Sequence, residues 1–537
     1  MNPVLHGLAA NPSLPPEAVD RLIALADADL ADILACRPDL GRDQAVALVA
    51  RVEDSAVRLA YEGRLIAADI DPVVHPQVAL ALLDRRAGRP ERARLFAADP
   101  DGERRAKLAA CPGLPPDVVE RLAADPDVHV VAELAWWASL DVAARLAGHP
   151  YAEVRRAVAA NEATPAGTLA ALITGAGLPP ALHCLVCDRE EIPFTHDPHC
   201  PRLDCDLLPG ASCDGSHESV THDTGLAALQ NPATPTGATV HFAEHPSLLL
   251  RRALAARPDL PPAVCRRLAA DPVPGVRADL AANPAIDDDL IRVLAQDRDP
   301  DVRRSLMYNP RVPLDVLTHL AGTTKTGESL LPRIGTASAT ETEGLARSPH
   351  PAVRMFVARR RDLPAGVRDA LAADPDAKVV KSIAPHPGLS AAQLRSMADR
   401  HGIRVLAQVA ANPDAPPELL EELALHDPPT RKALREIARH RRATAPALLA
   451  CLENGRARPV AARHPALPPP VIVGLLDDSD PQVAEAAAAN PSLPPQVMLE
   501  LVRRGACPAE DGLGRGVASW GASPTSAMRW IGRRASG

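Results

Sequence analysis

Short apolar blocks recur along this chain, separated by Asn-Pro and Asp-Pro steps. Residues 257–283 carry one complete unit. Pro261 and Pro262 open a segment in which Val264 and Leu268 share a face at helical spacing. A proline in the first helical turn loses no hydrogen bond and presets φ. Asp271-Pro272 closes the segment, because a residue before proline is pushed out of helical conformation. Val276 and Leu280 repeat the spacing in a second segment ended by Asn283-Pro284, with the asparagine expected in a left-handed terminal conformation. Helices this short are not stable alone in water. The pattern therefore predicts two-helix hairpins stacked into one continuous core, each touching only its neighbours.

The unit repeats along most of the chain. In the motif Asn-Pro-x-apolar-Pro, the fourth residue falls at Leu14, Leu40, Leu114 and Thr164, and then at Thr234, Leu260, Ile286 and Val312. It recurs at Leu363, Leu389, Ala415, Thr444, Leu467 and Leu493, and the commonest step is 26 residues. These positions predict an all-α, right-handed helical-repeat solenoid with a small inserted module. The expected organisation is N-terminal repeats over 1–180, a Cys/His-rich module over 181–225, C-terminal repeats over 226–510 and a flexible tail over 511–537. The register is weakest at 41–110 and 323–345, the second stretch reading as a loop or a degraded unit. Gly322–Ser329 lacks the Gly-Lys-Ser/Thr order of a phosphate loop.

A second register, Asp-x4-Val-Arg, runs through the later helix, as in Asp271/Val276/Arg277 and Asp297/Val302/Arg303. Arg251, Arg277 and Arg303 are 26 residues apart and would form a ladder along one side of the solenoid. Such a ladder either bonds turn carbonyls and aspartates of adjacent units or offers a cationic strip to an acidic partner. The first reading is preferred.

Composition sharpens this picture. The 57 prolines would suggest disorder if they were not in register with the apolar blocks. Aromatic residues make up 2 %, so alanine, leucine and valine must fill the core. A net charge of −8 and scarce aromatics argue against a nucleic-acid binder. Prolines and glycines break the uncharged stretch 163–187, so no membrane span is expected, and the chain reads as cytoplasmic.

Between Thr164 and Thr234 the anchors are 70 residues apart, which leaves about 44 beyond one unit. The inserted stretch holds five of the ten cysteines: Cys184, Cys187, Cys200, Cys205 and Cys213. Cys184-x2-Cys187 followed by Cys200-x4-Cys205 has the two-knuckle spacing of a structural zinc site, in which four thiolates wrap one tetrahedral ion. Cys213, His217, His199 and His222 are the alternative ligands, and an iron–sulfur cluster is the alternative cofactor. The segment has few large apolar residues, so metal binding would supply its folding energy. The isolated cysteines Cys36, Cys111, Cys265, Cys451 and Cys507 read as small core residues. Trp136-Trp137 reads as a packing variant or as an exposed anchor for a partner.

Segments such as NPSLPPEAVDRL, LAARPDLPPAVCRRLAADPVPGVRADLAANP and ANPSLPPQVMLELV resemble the bacterial leucine-rich repeat variant family. The resemblance covers most of the chain. It implies a right-handed superhelix of alternating α and 3₁₀ helices that serves mainly as a scaffold. The Asp-x4-Val-Arg element also looks like HEAT repeats. One member of the family carries an iron–sulfur cluster in an N-terminal cysteine-rich segment. The cysteines here lie mid-chain, so no ligand carries over. No nucleophile–base pair, nucleotide loop or framed carboxylate pair stands out, and a non-enzymatic protein-interaction scaffold with a structural metal site is expected. The alternatives are an iron–sulfur or metal-responsive regulator and a HEAT-like nucleic-acid binder.

Overall fold

The computed structural model describes residues 2–188, 217–427 and 430–505. Among them the chain is helical throughout. Thirty-five α-helices and the 3₁₀ turn Ala67–Asp69, which stands in for a missing first helix, make eighteen antiparallel pairs. The pair read from the sequence is present as Pro262–Ala269 and Pro274–Ala282, with Pro262 and Pro274 in their first turns. Both members of nearly every pair are α-helical, a HEAT-like arrangement in place of the expected alternation of α and 3₁₀ helices. The stretch 323–345 is a degraded unit whose second helix shrinks to Pro332–Gly335, yet Leu331 and Ile334 still fill the core position.

Most second helices end on a buried polar residue that bonds to the preceding unit; Val128–Trp137 and Pro332–Gly335 instead end on exposed Trp137 and Thr336. Asn283 donates to the carbonyls of Ala255 and Arg257 at 2.7 and 2.6 Å, and Asn309 to those of Ala281 and Asn283 at 3.0 and 2.8 Å. Asn161, Asn231, Asn412 and Asn490 do the same. Each asparagine oxygen also accepts the backbone N–H two residues on, as Asn283 does from Ala285 at 2.8 Å. This corrects the expected left-handed cap. Asn283 has φ −75° and ψ 126°, because the following proline enforces an extended residue and the side chain is committed across the interface.

Two other chemistries fill the same position. Arg37, Arg257 and Arg360 make the donor bonds with a guanidinium, which cannot accept; an aspartate two residues on (Asp39, Asp259, Asp362) balances the charge. A histidine works only when neutral. In His440 and His464, Nε2 donates to a carbonyl of the unit before, while Nδ1 accepts the N–H two residues on. Counting three residues from His440 places the buried anchor at Ala443, one residue before the expected Thr444, which is half-buried.

The opposite rim carries the arginine ladder, and its role is structural. Arg251 bonds Asp271, Arg277 bonds Asp297 and Arg354 bonds Asp374, each at 2.7 Å from Nε and each reaching into the next unit. The same guanidiniums donate back to the carbonyls of His245, Asp271 and Ser348 in their own turns. Arg277 draws the Asp297 carboxyl below its ordinary pKa.

The stack closes on itself. Among the described residues the first helix, Pro3–Ala9, is of the second type and the last, Pro495–Gly505, is of the first type. The two pack together as one composite unit. Pro3–Ala9 lies along Pro481–Ala488, and Asn11 donates to the carbonyls of Ala488 and Asn490 at 2.9 and 2.7 Å. Bonds of this kind join most of the other neighbouring units, and with the packing of Pro3–Ala9 on Pro481–Ala488 they close the described helices into a ring. Its seam is tight: Gly7 faces Glu485 and Ala488 with no room for a Cβ.

Second helices approach their neighbours more closely than first helices do and therefore line the inside of the ring. At about 9 Å between adjacent axes, eighteen of them give an inner circumference of roughly 160 Å. Residues eight, five and one places before the ladder residue form the solvent-facing stripe of each second helix, as Asp29, Asp32 and Cys36 do before Arg37. Cys36 is thus exposed, against expectation, whereas Cys111, Cys265 and Cys451 are buried. Burial raises all three thiols, Cys111 and Cys451 to about 12. Cys507 and the tail 511–537 lie outside the described residues.

Gly7→Ala should lower the thermal midpoint and enlarge the radius of gyration in small-angle scattering. Gly366→Ala, where an added Cβ meets nothing, should stabilise by up to about 1 kcal/mol through helix propensity. Equal effects of the two would contradict a closed seam.

Stability should also fall with acid. Burial holds His386 down to about 4 and His464 below its usual value, so the unfolded chain binds protons that the folded chain refuses. The stabilisation is complete above about pH 6.5 and is lost as the pH drops from there toward 4. His386→Asn, which keeps the ladder chemistry without the titration, should flatten the melting temperature between pH 7 and pH 5.

Candidate metal centre

The insertion lies between the two helices of one unit, Ala166–Thr174 and Glu218–Gln230. It leaves the ring on the arginine rim, where it takes the place of the missing aspartate turn. Arg155, at the ladder position, donates to the carbonyls of Pro179 and Pro180 at 2.7 and 3.3 Å. The chain then runs beside residues 150–152. Leu182 N donates to Pro150 O at 2.9 Å, Ala152 N to His183 O at 3.0 Å, and the Tyr151 and His183 rings stack 5.2 Å apart. Glu153 accepts the Leu185 N–H at 2.7 Å.

This docking delivers Cys184 into a small pocket against Ala152 and Val220, where it is fully buried. Cys187 follows on an exposed turn, and its backbone N–H points at the Cys184 sulfur, 3.3 Å away. His217 returns from the other side as the residue preceding Glu218–Gln230. Its φ of 57° and ψ of 26° are a left-handed conformation that a bulky side chain adopts only when its surroundings impose it. Its Nδ1 lies 3.3 Å from Cys187 Sγ, and the two sulfurs are 3.2 Å apart. One ligand atom from each of the three falls within 4.8 Å of the others, a set that could hold a metal ion. Two thiolates at about 2.3 Å and an imidazole at about 2.0 Å are three-quarters of a tetrahedral zinc shell, so the donors fit that ion.

Of the sequence candidates, the structure brings together Cys184, Cys187 and His217. Cys200, Cys205, Cys213 and His199 lie outside the described residues. His222 is one helical turn into Glu218–Gln230, buried, with Nε2 2.7 Å from Ser247 Oγ of the next unit; it does not join the cluster. Knuckle spacing favoured cysteines over His217. The signal that could have promoted His217 is its place immediately before an apolar helix, where the insertion must rejoin the ring.

A shallow cleft of about 300 Å³ lies on the inner face of the same region. Trp136, Arg156, Asp223, Leu226 and Gln230, from three adjacent second helices, line it. Neighbouring Trp137 is 57 % exposed at the end of its helix, with its indole N–H donating to Glu133.

No family model and no curated protein matches the chain. Solved structures that resemble it include the Pds5–Scc1 complex, studied for its implications for cohesin function, at 14 % identity over 90 % of this chain and 76 % of that one, with a TM-score of 0.19. Another is the karyopherin Kap121p bound to the extreme C-terminus of the protein phosphatase Cdc14p, at 12 % identity over 94 % of this chain and 51 % of that one, with a TM-score of 0.19. The function is argued from this chain's own residues.

Cys184→Ser and His217→Ala should each lower the metal content of the purified protein severalfold by elemental analysis. His222→Ala should retain the metal and instead lower stability by about 1 kcal/mol through its lost bond to Ser247. Metal loss on His222→Ala with none on His217→Ala would reverse the assignment.

Proposed function

We propose that this protein is a non-enzymatic scaffold: a closed helical ring that binds another protein on its inner face, with a zinc-bearing insert pinned to one rim. The observation that carries this reading is the contrast between two registers of the same helix. Ladder positions are filled in most units by asparagine, arginine or histidine. The stripe beside them varies from Asp29 and Asp32 to Trp136, Leu226 and Lys432. Positions that hold the ring together are uniform, and positions that face solvent are individual, as a recognition surface requires. Closure adds rigidity, which lowers the entropic cost of binding.

A role for the insert in stability fits its attachment. It ties residues 150–152 of one unit to the start of the second helix of the next, through Cys184 and His217. An imidazole beside two thiolates favours zinc over an all-thiolate iron–sulfur cluster. Buried thiols at Cys111, Cys265 and Cys451 suit a reducing, cytoplasmic setting. Among the described residues no helix is long and apolar enough to cross a membrane. The repeat segments that resemble the leucine-rich repeat variant family fit the same scaffold role.

Affinity capture from the producing organism, with the intact ring and with Gly7→Ala as paired baits, tests the proposal. A partner retained by the first and depleted on the second is the expected result. Recovery of no stoichiometric protein with the intact ring, or a turnover activity that survives Gly7→Ala unchanged, would overturn it.

A further inference from the structure

The inner stripe is not uniform in charge. Over four consecutive units, whose second helices run from Ala377–Ile383 to Arg458–Ala462, the stripe positions carry Lys378, Lys381, Arg404, Lys432, Arg435, Arg439, Arg456 and Arg463. All eight are exposed, and no acid stands at a stripe position in these units. Among the described residues, the one short-range ion pair within the set is Arg439 with Glu436 at 3.3 Å. Elsewhere in the ring the same positions carry seven acids, Asp29, Asp32, Glu103, Glu153, Asp223, Asp301 and Glu485, against four arginines, of which Arg252 and Arg304 are paired with Asp279 and Asp301. Three of the five lysines of an arginine-dominated chain stand in this one arc. The cationic strip that the arginine register hinted at is therefore real, but it lies here and not at Arg251, Arg277 and Arg303, whose charges are neutralised within the turn ladder or bound to turn carbonyls.

We infer that this arc is the docking site for an extended acidic polypeptide segment of a partner protein. The inference rests on the scaffold reading and names the chemistry of its partner. Eight cations held on closely packed second helices and on the turns that lead into them, as Arg404 and Arg456 are, repel one another, and an anionic chain laid across them relieves that cost. Four units at about 9 Å span roughly 36 Å, the reach of about eleven extended residues. A longer polyanion meets Glu485 in the next unit and Asp29 and Asp32 beyond the seam, so the arc suits a short acidic stretch. A nucleic acid fits less well. The stripe positions of these four units contain no aromatic residue on which bases could stack, and a duplex threaded through the ring would face the acidic remainder.

The test uses the full chain and a fluorescein-labelled twelve-residue oligoglutamate, read by fluorescence anisotropy. Micromolar binding at low salt should weaken at least tenfold on raising salt to physiological strength. The double reversal Lys432→Glu/Arg435→Glu should weaken it at least tenfold at unchanged far-ultraviolet circular dichroism and melting temperature. The matched reversal Arg266→Glu/Arg267→Glu, on the first helix Pro262–Ala269 at the outer side, should leave it within twofold. Three results would overturn the inference: no binding at low salt, equal loss with the outer reversal, or tighter binding of a twelve-nucleotide single strand or duplex. The scaffold reading is judged separately. A captured partner whose retention ignores the arc reversal sinks the arc alone, whereas capture of no partner sinks the scaffold.

Discussion

The structure depends on one kind of contact: a buried polar side chain at the end of most second helices that donates to one or two carbonyls of the unit before. Helices of seven to ten residues have no stability of their own, and alanine-rich faces slide easily because small side chains interlock weakly. Directional bonds at these junctions fix both spacing and register. Leaving such carbonyls unpaired would cost about 1–3 kcal/mol each. Three residues meet the requirement in different ways. Asparagine donates and accepts with one amide, neutral histidine imitates it with two ring nitrogens, and arginine recruits an aspartate to balance a charge that cannot accept.

Repetition of that contact explains the closure. A head-to-tail interface either extends without limit or returns to its start, depending on the rotation per unit. Here the rotation is such that Asn11 finds Ala488 and Asn490 with the bonds Asn490 makes to Ala462 and His464. One unit is therefore composite, with its second helix from Pro3–Ala9 and its first from Pro495–Gly505, and the described helices leave no solenoid end uncovered.

The same rule places the insertion. It departs from the turn between the two helices of a unit, where the interface tolerates extra chain, and it is secured by the arginine that elsewhere binds the next turn. Cys184, Cys187 and His217 are thereby fixed to the rim. On the proposed reading the rim holds the metal module, the inner stripe recognises the partner and the buried ladders supply cohesion.

Repeat length, the pairing of short helices and their proline starts were legible in the sequence, whereas the insertion, read as lying between intact repeats, falls between the two helices of one unit. The legible features follow from local rules: helical periodicity, the φ of proline and the restriction on the residue before it. The Cys184–Cys187 turn was legible for the same reason. Joining it to His217 was not, because His217 lies thirty positions beyond Cys187 and the meeting is set by docking against residues 150–152. Neither was the role of the asparagines, whose partners are a full unit away in sequence. The ring itself depended on the rotation accumulated over eighteen units, a small angle that no local pattern encodes. The charge of its inner face followed from that geometry. The eight bases are scattered over residues 378–463, and only the stacking of second helices makes them one surface.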